Sequence, residues 1–196
     1  LAHPDARVFP NAIPLVDMPR VPESSTIVFS GNLEYHPNIE AVRWIARELQ
    51  PALTTQIPEL HWHLVGRNPH AVEPLLHGRT NMHLTGPVDD AIAAIAAARI
   101  CVVPLLSGSG TRFKILEAWA AGRAVISTTI GAEGLGAVSG QHLLIADTTS
   151  DFVAAIARLW KDQDLRRRLG AAGREYYERN FTWDAVWRQF DNSGGL

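Results

Sequence analysis

The chain of 196 residues carries one cysteine, Cys101. A lone cysteine excludes a disulfide framework. Its place in the apolar run Ile100-Cys-Val-Val predicts a small buried hydrophobe in a reducing compartment. Strong net charge is also missing: 18 Lys and Arg against 20 Asp and Glu leave −2. No broad polyanion-binding surface is implied, and no nucleic-acid partner is expected. The only basic run, Arg166-Arg-Arg168, sits in a polar helical pattern and reads as a solvated face. The longest apolar run, around Ala91 to Leu106, is broken by Arg99 and Pro104 and is too short to span a bilayer. The opening LAHPDARVFPN has neither a charged n-region nor an apolar h-region, so no signal peptide is expected. His61 and His63 alternate onto one face of a strand, but no cluster of Cys, Asp or Glu completes a metal site around them. Packed histidines are expected there. No internal repeat is visible.

Apolar residues make up 46% of the chain and charged residues 19%, which places it among globular proteins. Its length suits one α/β domain. Six short apolar runs read as strands: Thr26 to Ser30, His61 to Val65, Met82 to Thr85, Ile100 to Pro104, Ala124 to Ser127, and His142 to Ala146. Helical patterns lie between and after them. Ile39 to Leu49 follows a capping Asn38. Pro69 to His77 and Asp89 to Ala98 are short. Phe152 to Lys161 is amphipathic, as is Leu165 to Arg179, where Gly170 and Gly173 are weak points. Thr182 is the expected N-cap of a last helix running to Phe190. Strands alternating with helices predict a Rossmann-like α/β fold, a parallel sheet with helices on both faces. Ligands of such sheets sit beyond the carboxyl ends of the strands. The loops after Ser30, Gly66, Thr85, Pro104 and Ser127 fall at that edge.

One stretch concentrates the chemistry: Pro104 to Gly134, PLLSGSGTRFKILEAWAAGRAVISTTIGAEG. It reads as a strand end, a glycine loop, a helix, a strand and a second glycine loop. Gly108-Ser109-Gly110 turns tightly and leaves backbone N–H groups free, and Thr111 can cap the helix beside it. That arrangement offers amides and a positive dipole end to an anion, most often a phosphate. Phe113, Ile115, Leu116, Ala118 and Trp119 wrap the helix in apolar groups, as expected of one buried between layers. Arg112, Lys114 and Glu117 break that surface. The two cations stand in the first turn, where the helix dipole disfavours them and a bound anion would offset the cost. Lys114 and Glu117 share a face. A simple surface pair after an ordinary turn is the plain alternative.

GSGTRFKILEAWAAGRAVISTTIGAEGL resembles the donor-binding signature of retaining glycosyltransferases of the GT-B fold, in the large family 4 group. The Gly-Thr-Arg-x-Lys-x-Leu-Glu-Ala form is familiar from a branch of that family. The resemblance implies that Glu117 binds the nucleotide ribose. The family's first glutamate, which contacts the donor sugar, falls on Ser109 here, a departure. The family's first loop supplies an arginine and a lysine to the donor diphosphate. Gly31, Asn32 and His36 stand in that neighbourhood, so Arg112 and Lys114 become the candidates to meet the phosphate charge and stabilise the leaving group. His36 is equally readable as an exposed loop residue before a proline. The turn after the third strand implies Val88 as a base contact. The second glycine loop implies a donor-sugar approach by Gly131 and Glu133, although Glu133 reads equally as a solvated loop carboxylate.

A GT-B enzyme has two Rossmann-like domains, so the resemblance implies the C-terminal half alone. Residues 1–22 would be an interdomain linker segment and residues 23–192 the donor-binding domain. The N-terminal acceptor domain would then be absent from this chain. The expected ligand is a nucleotide diphosphate sugar, with no metal and no other cofactor. The acceptor is not readable. The expected setting is cytoplasmic carbohydrate biosynthesis, with peripheral association at the inner face of a membrane as an option for the whole enzyme. Two other readings stay open: a non-catalytic interaction domain, because of Ser109, and a nicotinamide-dependent oxidoreductase domain. The first strand–turn reads Gly-Asn-Leu-Glu rather than G-x-G-x-x-G, which weakens the latter.

Overall fold

The computed structural model describes residues 11–110 and 112–192. Strand β1 (Thr26–Ser30) leads through Gly31 into helix α1 (His36–Trp44). A π turn (Ile45–Leu49) carries α1 into α2 (Gln50–Thr54). Strand β2 (His61–Val65) follows, then two short 3-10 turns (Pro69–Ala71 and Glu73–Leu76) and β3 (Met82–Thr85). Helix α3 (Ala91–Ala96), β4 (Ile100–Val103), α4 (Phe113–Ala120), β5 (Val125–Ser127) and β6 (Leu144–Ile145) come next. Helices α5 (Thr149–Lys161), α6 (Gln163–Asn180) and α7 (Trp183–Asn192) close the domain.

All six strands pair in parallel, in the order β3-β2-β1-β4-β5-β6. The chain steps outward from β1 to β3 and returns beside β1 as β4. Connections therefore diverge between β1 and β4, and the crevice above their carboxyl ends is the topological switch point. Both central strands are buried along nearly their whole length, as runs such as Ile27-Val-Phe and Ile100-Cys-Val-Val require. The α1–α2 helix packs against α5, while α3 and α6 pack against α4, so the sheet is covered on both faces as expected.

Several boundaries differ from the sequence reading, each for a physical reason. Helix α1 begins at His36, with Pro37 in its first turn, so Asn38 is not its cap. Asn38 is buried and donates its side-chain amide to Asn32 O at 2.6 Å. The π turn lies just ahead of Pro51, which has no N–H for Arg47; the Gln50 N–H reaches back to Ile45 O instead. Pro74 splits the expected Pro69 to His77 helix into two turns. Helix α3 starts late because the Asp90 carboxylate accepts from the Ala93 N–H at 2.9 Å.

Gly170 and Gly173 are close-packing points rather than weak ones. A Cβ on Gly170 would stand 2.2 Å from Gly122 O, and one on Gly173 would stand 2.3 Å from the Trp119 ring. They let α6 settle on the fully buried Trp119, whose indole N–H reaches His142 O at 3.0 Å. Of the expected linker, residues 1–10 lie outside the described residues. The remainder runs along α6, with the Ile13 N–H on Phe181 O, the Tyr177 hydroxyl on Pro14 O and Arg174 on Val16 O. No helix of the described residues is long and apolar enough to cross a membrane.

Candidate functional site

The site is built where β1 and β4 end. Gly31, just past β1, has φ 147°, and a Cβ there would stand 1.9 Å from Lys114 Nζ. Only a bare backbone leaves room for that ammonium group. Gly66, at the matching point after β2, approaches equally closely: its Cβ would stand 1.6 Å from Gly31 O. Two glycines thus let the β1 and β2 loops fold against each other while Lys114 lies across the first. Gly108 and Gly110 take φ 109° and 99° in the loop after β4, as the tight turn predicted. Thr111, expected to cap α4, lies outside the described residues.

Arg112 occupies the N-cap position of α4, one step before the first turn, and makes no capping bond. Its side chain is 5% exposed and donates to Gly108 O at 3.1 Å and to Glu133 Oε2 at 3.3 Å. Its Nε is buried without a partner. Glu133, 71% exposed, is the carboxylate that meets Arg112. Phe113, expected to be buried, is 43% exposed beside it. Lys114 is mostly buried, and its ammonium stands 5.2 Å from the Phe29 ring centroid. Burial pushes its pKa from 10.5 down to about 8, with Glu117 and Cys101 opposing. Burial pushes the Glu117 carboxyl up, with Lys114 opposing. Beneath them the Cys101 thiol is pushed up to about 12 by burial and then by Glu117, which leaves it an inert core group.

Two neighbouring cavities meet at this helix face. The first, about 290 Å³, is lined by Asn32, Tyr35, Ser109, Arg112 and Lys114 among others. The second, about 260 Å³, is lined by Gly31, Asn32, Arg67, Val88 and Glu117 among others. Asn32 borders both, so they form one bent cleft with two cations, Arg112 and Lys114, on one limb and the Glu117 carboxylate, with Arg67, on the other. Such a pair of limbs accepts a ligand with an anionic part and a hydroxyl-bearing part. No group of three or more His, Cys, Asp or Glu among the described residues could hold a metal ion.

The model of the glycosyl transferases group 1 matches residues 24–162, which spans every strand and both limbs of the cleft. The chain belongs to the group 1 glycosyl transferases. It is 24% identical over 163 residues to an uncharacterized 44.6 kDa protein in the cps region of Klebsiella pneumoniae, covering 79% of this chain and 42% of that one. Among solved structures it resembles the sucrose-phosphate synthase of Thermosynechococcus elongatus, with TM-score 0.76, 24% identity, and coverage of 95% of this chain and 51% of that one. It also resembles Anabaena Alr3699/HepE in complex with UDP and glucose, with TM-score 0.71, 15% identity, and coverage of 87% and 48%. The shared architecture is the Rossmann-like C-terminal domain of the GT-B fold. This group 1 domain spans about half the length of each of these three relatives.

Within the group 1 domain, the cleft gathers Gly31, Asn32, Val88, Ser109, Arg112, Lys114 and Glu117 from three separate loops and one helix. His36 is not among the lining residues: its side chain is 75% exposed and lies 3.7 Å from Glu40. Gly131 is buried, lies outside both limbs, and gives its N–H to Thr128 Oγ1 at 2.9 Å. That amide is spent inside its own turn. Sequence reasoning passed over Arg67, an exposed cation on the second limb. The signal was available, because Arg67 follows Gly66 at the same sheet edge. It also passed over Ser30, whose buried hydroxyl lines the second limb and has no partner.

Proposed function

We propose that this group 1 domain is the donor-binding half of a retaining glycosyltransferase of the family 4 group. It would transfer a sugar from a nucleotide diphosphate sugar to an acceptor bound largely by a separate N-terminal domain. The observation that carries this reading is the bent cleft at the switch point, with Lys114 on one limb and Glu117 on the other. In it, Glu117 accepts the two ribose hydroxyls and Val88 borders the base. Lys114, lying across Gly31, and Arg112, beside Ser109, take the diphosphate. The donor sugar extends along the Gly108–Gly110 loop. As the glycosidic bond breaks, negative charge grows on the leaving phosphate, and two cations already in place stabilise it without reorganisation. The proposal assigns that charge to side chains and needs no metal. Anabaena Alr3699/HepE, of like fold, was crystallised with UDP and glucose, which favours UDP as the first nucleotide to try.

Ser109 supports a second reading. It lines the cation limb at the position where the family resemblance calls for a sugar-binding carboxylate. A domain that binds without transferring is the alternative. Isothermal titration with UDP-, GDP- and ADP-sugars and with NAD separates these readings. Binding of one nucleotide-sugar class, unaffected by EDTA, supports the donor domain. NAD binding alone sinks it, and no nucleotide binding favours the interaction domain. The anomeric configuration of the product made by the full-length enzyme tests the retaining assignment. Fractionation of that enzyme between cytoplasm and membrane tests its expected place in the cytoplasm or at the inner face of a membrane.

A further inference from the structure

The opposite edge of the sheet carries a second concentration of charge. Glu23, Arg99 and Arg123 lie just ahead of β1, β4 and β5, so they share the amino edge of the strands, away from the donor cleft. Lys161 ends α5, and Arg166 and Arg167 lie in the first turns of α6. Together they line a cavity of about 510 Å³ holding five cations and a single carboxylate. The sequence reading of Arg166 as part of a solvated face is therefore wrong: its side chain is 6% exposed. The α5–α6 turn forces it inward, where it donates to Leu159 O at 2.6 Å and Trp160 O at 3.0 Å.

The internal pairing does not neutralise this cluster. Glu23 gives one carboxylate oxygen to Arg123 at 3.0 Å and the other to Arg166 at 2.9 Å, so it is fully committed. Glu59, near Arg99, accepts from the Trp160 indole N–H at 2.9 Å. Asp162 is occupied as the cap of α6. Arg99 stacks its guanidinium on Trp160, 4.4 Å from the ring centroid. The Nε groups of Arg99, Arg123 and Arg166 are buried without partners. Lys161 and Arg167 are exposed and pair with no carboxylate among the described residues. Like charges held this close in a molecule of net charge −2 are a local excess that self-repels unless an anion joins them.

We propose that this cavity is a second anion site, distinct from the donor cleft, that takes the oxygens of a phosphoryl group bearing more than one negative charge. Arg123 and Arg166, pinned by Glu23, form its floor. Arg99, held flat on Trp160, forms one wall, and Lys161 with Arg167 forms the exposed rim. Planar guanidiniums supply paired donors to phosphoryl oxygens, and the rim cations draw the anion in. Arg123 also follows directly on α4, the helix that carries Lys114 and Glu117, so an occupant touches the far end of the donor helix.

Pyrophosphate is the probe, titrated at low salt into the Arg112→Ala/Lys114→Ala chain, which removes the donor-site cations. Binding is expected to persist there and to weaken by at least about tenfold when Lys161→Ala and Arg167→Ala are added. Both rim residues are exposed, so the fold is not at risk, and an unchanged melting temperature checks this. Hydrogen exchange supplies a second readout, with protection by pyrophosphate expected at the α5–α6 turn. A parallel arm pellets the chain with vesicles of phosphatidic acid, whose phosphomonoester can carry two charges, and phosphatidylcholine. Pelleting that requires Lys161 and Arg167 assigns the phosphoryl group to a membrane headgroup, and pyrophosphate binding without pelleting assigns it to a soluble anion. The proposal is overturned if neither probe binds the donor-site variant, or if both bind it equally with and without the rim cations. A failed donor cleft would leave this result untouched, because the background already lacks its cations.

Discussion

Replacing Lys114 by methionine separates the donor reading from its plain alternative in one molecule. Lys114 is an ammonium held against Gly31 and Phe29 and mostly shielded from water. Its pKa of about 8 in the folded chain, against 10.5 ordinarily, means that folding disfavours the charged form. The unfolded chain binds more protons than the folded one between those two values. Stability therefore rises as pH climbs from about 8 to about 10.5, and below about 8 the whole cost is present. That cost is about 3 kcal/mol at most. Lys114→Met keeps the apolar stem and removes the charge, so the ligand-free variant is expected to gain stability at pH 7 within that bound. The same change deletes a charge-assisted bond to phosphate worth about 1.5–3 kcal/mol, a loss of roughly 10- to 150-fold in UDP affinity. Uridine affinity is expected to change far less than UDP affinity, because uridine offers this ammonium no phosphate oxygen.

The pH dependence has a definite sign. A bound diphosphate favours the ammonium and pulls its pKa back up, so wild-type UDP affinity falls as pH rises above about 8. The Met variant lacks this part of the pH dependence. Denaturant unfolding at pH 7 and 9.5, with titration of UDP and uridine at both values, measures every quantity. If UDP keeps its full advantage over uridine in the variant, Lys114 does not hold phosphate. If the variant is less stable than wild type at pH 7, the cost assigned to burying this cation is wrong.

Other perturbations test the rest of the site. Glu117→Gln is expected to lower uridine and UDP affinity alike, by about 1.5–3 kcal/mol for each ribose bond lost, and equal affinity by titration rejects the ribose role. Gly66→Ala places a Cβ 1.6 Å from Gly31 O, a backbone atom that cannot step aside, so denaturant unfolding should register a loss above about 2 kcal/mol. The chain alone should not transfer sugar, since it spans about half of its relatives. Sustained turnover of a donor–acceptor pair by these 196 residues would defeat that expectation, whereas slow donor hydrolysis would not.

What was legible from composition and order was the architecture. Three strands, Thr26–Ser30, His61–Val65 and Met82–Thr85, fall on the residues where the apolar runs place them. Thr26–Ser30 is a nearly continuous buried run, whereas His61–Val65 and Met82–Thr85 set polar residues between apolar ones; each run ends at a glycine or a polar turn. The Lys114–Glu117 pairing was legible for a local reason: residues three apart on a helix share a face wherever the helix goes. Helix starts were less legible. The Asn38 side chain is as able to bond across to Asn32 O as to cap its own helix, and tertiary contact decided for the first.

Packing alone decided which residues at the sheet edge face one another. No spacing in the chain says that Gly66 folds onto Gly31, that Lys114 crosses the gap to lie there, or that Arg67 joins Val88 and Glu117 on one limb. Nor does it say that Asn32 borders both cavities. The same holds at the far edge. Arg166 sits in a run of three arginines that periodicity reads as solvated, yet the α5–α6 turn carries it under the strand ends to Glu23, 143 residues away in the chain. Local sequence sets each element's period and breaks; the relative position of elements follows from burying their apolar faces together. Charge placement between distant elements is a consequence of that burial.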